Sequence, residues 1–175
     1  MKKILALLMV CTMFFIGGCN KSTLSNLDIQ KLNQKAATYM QNGEYDKAAA
    51  RLEAIIDLNP NFYEPYYNLG IAYYNMTEYE KSLNAFNEAI KRKEDLADAY
   101  YSRAVLYDDW ANSLTEDKEG KEVKAVDKET AKQYLENAKS DYEKYLELNP
   151  KANDKDEVDR KLAEIDEALN GNPKE

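Results

Sequence analysis

Residues 66–89 read YYNLGIAYYNMTEYEKSLNAFNEA, and Tyr73 in this stretch is the middle rung of a ladder with Tyr39 and Tyr107 at steps of 34 residues. The same step relates Leu32, Tyr66 and Tyr100, and it pairs Tyr45 with Tyr79, Ala48 with Ser82, and Leu52 with Phe86. A fixed period carrying bulky apolar residues at repeated offsets predicts stacked helical hairpins, each too small to bury its apolar face alone. Inside the quoted stretch, Tyr66, Gly70 and Tyr73 form one stripe at helical spacing, and Tyr79, Ser82, Phe86 and Ala89 form the next. The small residues Gly70 and Ala89 allow the two helices of this hairpin to approach closely.

The unit before it carries Leu32, Ala36 and Tyr39 on a first helix and Tyr45, Ala48, Leu52 and Ile55 on a second. Ser25 and Asp28 fit a capping box at the start of the first helix. Gly43 suits a positive φ at its end, and Asn59-Pro60 stops the second. The unit after the quoted stretch opens in register with Tyr100, Ala104 and Tyr107. It closes on Leu148-Asn149-Pro150, a copy of Leu58-Asn59-Pro60 placed 90 residues later, two periods plus 22. Ala138, Tyr142 and Tyr145 are then its second-helix stripe, and the extra residues lie between Tyr107 and Ala138. They lengthen both helices into an arm that turns near Asp117–Lys121 and carries Trp110, Leu114, Val123 and Val126 as its large apolar groups. Last comes an amphipathic helix with Val158, Leu162, Ile165 and Leu169 on one face and Gly171 as its stop, which covers the open end of the stack. The acids Asp154, Asp156, Glu157 and Asp159 at its start favour the helix dipole. They lack the glycine and terminal Glu of a calcium loop.

These residues resemble the tetratricopeptide repeat, whose pattern asks for Tyr, Gly-x-Tyr, Ala, an aromatic, Ala and Pro at such places. Repeat two departs from it at Thr77, where the turn glycine belongs, and at Glu94, where the proline belongs. The resemblance implies an all-α fold: a right-handed superhelix of three hairpins, at about 29–62, 63–96 and 97–150, with an insertion at about 108–130 and a capping helix at about 155–170. Tyr39, Tyr45, Tyr73, Tyr79 and Tyr107 are expected in its core.

Residues 1–18 stand outside this pattern. Lys2 and Lys3 precede an apolar run from Ile4 to Ile16, too short to span a ~30 Å hydrocarbon core and suited to the h-region of a secretory signal. The sequence Ile16-Gly17-Gly18-Cys19 resembles a bacterial lipobox, which implies a signal peptide over residues 1–18, acylation of Cys19, and a polar tether over residues 19–24 ahead of a domain at 25–175. The cysteine is the soft nucleophile that thioether lipidation requires. Asn20 after it favours the outer-leaflet route in a cell with two membranes. Cys11 would leave with the signal, so the chain after cleavage has one cysteine, no internal disulfide, and stability from packing alone. The expected setting is the extracytoplasmic cell envelope, lipid-anchored to a bacterial membrane.

Composition narrows the chemistry. Removing Lys2 and Lys3 leaves 22 basic against 32 acidic residues, a formal charge of −10. That sign opposes nucleic acid as a partner, and it opposes adhesion to anionic lipid beyond the acyl anchor. The chain has no histidine, the commonest general base and zinc ligand, and no phosphate loop or nucleophile elbow. Its carboxylates are interleaved with Lys on helix exteriors, as on a solvated face. No catalytic residue, metal site or cofactor is expected.

With about 100° per residue, one stripe of each first helix faces the hollow of a superhelix. These stripes are Gln30, Asn33, Ala37 and Met40; Glu64, Tyr67, Ile71 and Tyr74; and Asp98, Tyr101, Val105 and Asp108. Asn33, Met40, Tyr67, Ile71, Tyr74, Tyr101 and Val105 are the candidate groove, rich in tyrosine, which gives rigid contact area and one polar tip. The alternative is that these tyrosines pack against the neighbouring repeat or under the capping helix. The resemblance implies a scaffold or adaptor that binds a peptide or helix segment of another envelope or secreted protein. The family's clamp for acidic carboxyl tails matches at Asn68 alone among Asn33, Ala37, Asn68, Asp98 and Ser102, so such tails are not the expected ligand. Other readings are an accessory protein of an envelope transporter holding a small apolar ligand, and a self-associating spacer.

Overall fold

The computed structural model describes residues 26–115 and 124–171. The leader, Cys19, the tether and Ser25 of the expected capping box lie outside the described residues, as does the expected turn at Asp117–Lys121 with Val123. The described residues form seven helices and no strand: α1 (Asn26–Gln41), α2 (Tyr45–Leu58), α3 (Tyr63–Asn75), α4 (Tyr79–Arg92), α5 (Ala97–Thr115), α6 (Ala125–Leu148) and α7 (Lys155–Asn170). α1 packs on α2, α3 on α4 and α5 on α6, and each hairpin stacks on the next through α2 against α3 and α4 against α5. The expected all-α stack of three hairpins and a capping helix is the observed architecture.

The turns repeat as faithfully as the stripes. Gly43 has φ 73°, its N–H donates to the Met40 carbonyl at 3.2 Å, and the Glu44 N–H donates to that of Tyr39 at 2.8 Å. Thirty-four residues on, Thr77 holds φ 59°, its N–H donates to the Tyr74 carbonyl at 2.9 Å, and the Glu78 N–H donates to that of Tyr73 at 2.9 Å. The turn at Thr77 is therefore built to the same design without its glycine. Glu94 stands in the place of Pro60, and its carbonyl has the equivalent partner: the Tyr66 hydroxyl donates to the Pro60 carbonyl at 3.3 Å and the Tyr100 hydroxyl to the Glu94 carbonyl at 3.2 Å. In repeat one and repeat three the second helix ends alike, with the Asn59 N–H on the Ile55 carbonyl and the Asn149 N–H on the Tyr145 carbonyl, both at 2.8 Å.

The core divides into two clusters. Ala36, Ala49, Leu52, Ile55, Leu69, Ala72 and Ala85 form the first, among α1 to α4. Ala104, Ala138, Tyr142, Tyr145, Val158 and Ile165 form the second, among α5, α6 and α7. Between them Phe86, 1 % exposed, packs against Gly70 so closely that a Cβ there would stand 2.6 Å from the ring. Ser82, fully buried in the place of Ala48, donates from its hydroxyl to the Gly70 carbonyl at 2.8 Å.

The ladder tyrosines occupy equivalent places, but the expectation that they are core residues needs correction: Tyr39, Tyr45, Tyr73, Tyr79 and Tyr107 are each half-buried. Their polar tips must reach solvent or a partner, so alanine, leucine, isoleucine and Phe86 fill the dry interior and the tyrosines seal its edge. Lys47 lies 5.7 Å over the Tyr39 ring and Lys81, its repeat mate, 5.4 Å over Tyr73, while Tyr107 lies 5.7 Å from Tyr134.

The insertion lengthens α5 and α6 as expected, to 19 and 24 residues against 13 and 14 in α3 and α4. Its tryptophan is no free projecting group. Trp110 packs 4.5 Å from Tyr134 and 5.7 Å from Tyr79, which ties the base of the arm to the preceding hairpin. The capping helix ends at Gly171 with φ 70°, and buries Val158 and Ile165. At its start, the Asp154 side chain caps no backbone N–H and instead accepts the Tyr145 hydroxyl at 2.6 Å.

Candidate functional site

The stripes of α3 and α5 face each other across a cleft of about 220 Å³. Ile71 and Tyr74 line one wall, Tyr101, Ser102 and Val105 the other, with Phe86 of α4 behind and Asn75 at the end. The spacing that places them is the helical one: Ile71 and Tyr74 are three apart, and Tyr101 and Val105 four. Four of the seven residues expected to form a groove thus line one cleft. Tyr67 stands beside it, its hydroxyl 3.4 Å from that of Ser102 and its ring 6.1 Å from Phe86. The other two do not take part: Asn33 is exposed on α1, and Met40 packs against the first core cluster because its long apolar chain reaches the interior.

Hydrogen bonds brace the walls. The Tyr74 hydroxyl donates to the Asp109 carboxylate, and Tyr67 and Ser102 join α3 to α5 about two turns earlier. Tyr101 is held from behind, 5.8 Å from Tyr142 and 5.1 Å from Tyr145. Part of the alternative reading therefore applies: Tyr67, Tyr74 and Tyr101 spend one side on packing while remaining half-exposed on the other. Burial raises the phenolic pKa of Tyr67, Tyr74 and Tyr101 above its ordinary value, Asp109 adding to it at Tyr74 and the α7 acids Glu157 and Asp154 at Tyr101. All three are neutral donors at physiological pH. Asp108, expected to face the hollow, is instead buried, paired with Lys161 of α7 at 3.2 Å and accepting the Asn112 amide at 3.2 Å. This pair pins the capping helix beside the cleft.

Sequence periodicity could not find Ser102, Asn75 or Phe86 as cleft residues, nor Asp109 as the acceptor of the Tyr74 hydroxyl. Ser102 and Asn75 lie one position off the stripe, and Phe86 belongs to a second helix whose ring enters through the gap left by Gly70. Among the described residues no cluster of His, Cys, Asp or Glu has the makings of a metal site, and no helix is long and apolar enough to cross a membrane.

Three family matches coincide with these elements: "TPR repeat" over residues 36–76, and "Tetratricopeptide repeat" over residues 63–96 and 127–152. The chain belongs to the tetratricopeptide-repeat family. The third match falls on α6, the helix that packs against α5. The Sgt2 repeat domain from Aspergillus fumigatus superposes with a TM-score of 0.66 at 18 % identity, over 88 % of this chain and 89 % of that one. The first repeat domain of Spaghetti (RPAP3), bound to an HSP90 peptide, gives 0.64 at 23 %, over 86 % and 99 %. The Yersinia enterocolitica type III secretion chaperone SycD, in complex with a peptide of the translocator YopD, gives 0.61 at 16 %, over 83 % and 95 %. Identities this low establish a shared tetratricopeptide fold. No curated protein sequence is significantly similar to this one.

Proposed function

We propose that this tetratricopeptide-repeat protein is a non-enzymatic scaffold or adaptor, anchored to a bacterial membrane through acylated Cys19 on the extracytoplasmic side, that docks a segment of another envelope or secreted protein between α3 and α5. The observation that carries the reading is the cleft itself, an apolar floor of Ile71, Val105 and Phe86 rimmed by tyrosine hydroxyls and accessible to solvent. Neighbours of the same fold hold peptides, an HSP90 peptide in one and a YopD peptide in another. Here the residues at the places of the carboxylate clamp include exposed Asp98 and the neutral Ser102, so a partner's acidic carboxyl tail is not the ligand we propose. A small apolar ligand is less well served: at about 220 Å³ the cleft falls below the roughly 300–1,000 Å³ of enclosed ligand sites.

The test is site-specific photocrosslinking from Val105 in the lipidated protein in intact envelopes, beside a probe at exposed Asp57 on α2. Crosslinks to a partner from Val105 alone support the docking reading. Equal crosslinking from both positions, or none from Val105, overturns it. Growth with labelled palmitate checks the anchor: wild type incorporates label, and label retained by Cys19→Ser would overturn acylation at Cys19.

A further inference from the structure

The charges around the cleft are nearly all of one sign. Glu64 lies one turn before Tyr67 on α3, and Asp98 lies one turn before Tyr101 and Ser102 on α5; both are exposed. Among the described residues Asp109 accepts one hydrogen bond, from Tyr74, of the roughly four a carboxylate can take. From α7, Asp154 and Glu157 lie close enough to act on the Tyr101 hydroxyl. Among the described groups that act on the three cleft tyrosines, the one cation is Lys161, and it is held between Asp108 at 3.2 Å and Glu164 at 3.8 Å. An acidic segment entering this cleft would meet repulsion on both walls. A basic one finds carboxylates at both ends of an apolar floor.

Resting on the reading of the cleft as a docking surface, the geometry points to a partner segment that is basic as well as apolar. One large apolar side chain sits against Ile71, Tyr101 and Val105, and flanking Lys or Arg residues meet Asp98 and Asp109. The apolar contact supplies the affinity and the charges supply orientation, rejection of acidic competitors and a faster encounter. This polarity is opposite to that required for capturing a carboxylate tail. The spacing of the two acids, eleven residues along α5, sets the flanking charges about 16 Å apart at 1.5 Å per residue.

A displayed library of random short segments, selected on the protein and in parallel on Val105→Asn, tests it. Segments that favour wild type over Val105→Asn are expected to be enriched in Lys and Arg around an aromatic or aliphatic residue and depleted in Asp and Glu. A synthetic segment from that pool should bind Asp98→Asn/Asp109→Asn roughly two- to thirtyfold more weakly, as about 0.2–1 kcal/mol for each of two exposed charge pairs implies. It should bind Asp46→Asn/Asp57→Asn, with the same charge change on exposed sites of α2, as wild type does. Neutral or acidic segments selected through Val105, or equal losses in the two double variants, overturn the basic-partner inference while leaving the docking site standing. If no segment distinguishes wild type from a Val105→Asn protein of unchanged helicity, the docking reading itself fails.

Discussion

Thr77 holds a left-handed backbone, φ 59°, in a turn whose counterpart in the preceding repeat is Gly43. A β-branched residue is the least suited to that region, since its Cβ substituents crowd the carbonyl, at a cost of about 1–2 kcal/mol. The hydroxyl recovers part of this by donating to the Met76 carbonyl at 2.6 Å. Thr77→Gly relieves the crowding but adds freedom to the unfolded chain, so the expected net gain is about 0.5–1 kcal/mol in urea unfolding, with Thr77→Asn between the two. A loss of stability in both variants would show that the turn is not strained. Gly70, in the same repeat, has the opposite role. It owes its place to space, not to φ, and a methyl group there would stand 2.6 Å from the ring of Phe86, so the ring or the helix must shift. Gly70→Ala should cost about 1–3 kcal/mol although alanine is the better helix former. An unchanged urea midpoint would mean that Phe86 can move aside.

Between elements, the third hairpin is joined by an ion pair that no period predicts. Arg103 of α5 donates from Nε to Asp141 Oδ2 at 2.7 Å and from a terminal nitrogen to Oδ1 at 2.8 Å, and both side chains are largely buried. Burial pushes the Asp141 carboxyl above its ordinary value against the pull of Arg103, the sign of a charge kept dry at some expense. Arg103→Met or Asp141→Leu alone leaves its partner's charge buried and uncompensated and should cost about 3–5 kcal/mol. The double variant should recover most of that loss in thermal or urea unfolding. A double variant as unstable as the sum of the singles would show that the two charges are not coupled, and would overturn this account of the pair. This contact also marks how far the sequence could be read. Ladder spacing located the hairpins, the insertion and the capping helix, because repeated apolar residues are constrained by repeated neighbours. It did not reveal how deep each tyrosine sits, which depends on whether its hydroxyl finds an acceptor such as Glu53 for Tyr73 or Asp109 for Tyr74. Nor did it reveal that Trp110 and Asp108 bind the insertion and α7 back onto the stack. Those pairings join chain segments whose separation follows no period. The cleft was legible where α3 and α5 carry the stripe, and failed on α1, where Met40 has an apolar cluster to enter.

Across the whole molecule, the tyrosines that seal the hairpins make the stack sensitive to alkali. Burial, reinforced by the bond to Glu53, pushes Tyr73 up to about 12, and burial with the bond to Asp154 pushes Tyr145 up to about 12, against an ordinary value of 10.0. Burial likewise raises Tyr67, Tyr101, Tyr107 and Tyr134. A phenol whose folded pKa exceeds its unfolded one holds its proton more tightly when folded. Its contribution is therefore complete below pH 10 and is lost as pH rises through about 12. Tyr73 fastens α3 to α2, and Tyr145 fastens α6 to the start of α7, so the loss falls on both halves of the stack. Helicity followed by circular dichroism should hold to pH 10 and then fall together with the rise of tyrosinate absorbance. Because each repeat leans only on its neighbours, Tyr73→Phe should move the early part of that transition and leave the remainder in place if the halves melt separately. It should shift the entire curve if they melt as one. Tyrosinate formation with an ordinary midpoint in a protein that keeps its helices would show that these hydroxyls do not hold the hairpins together.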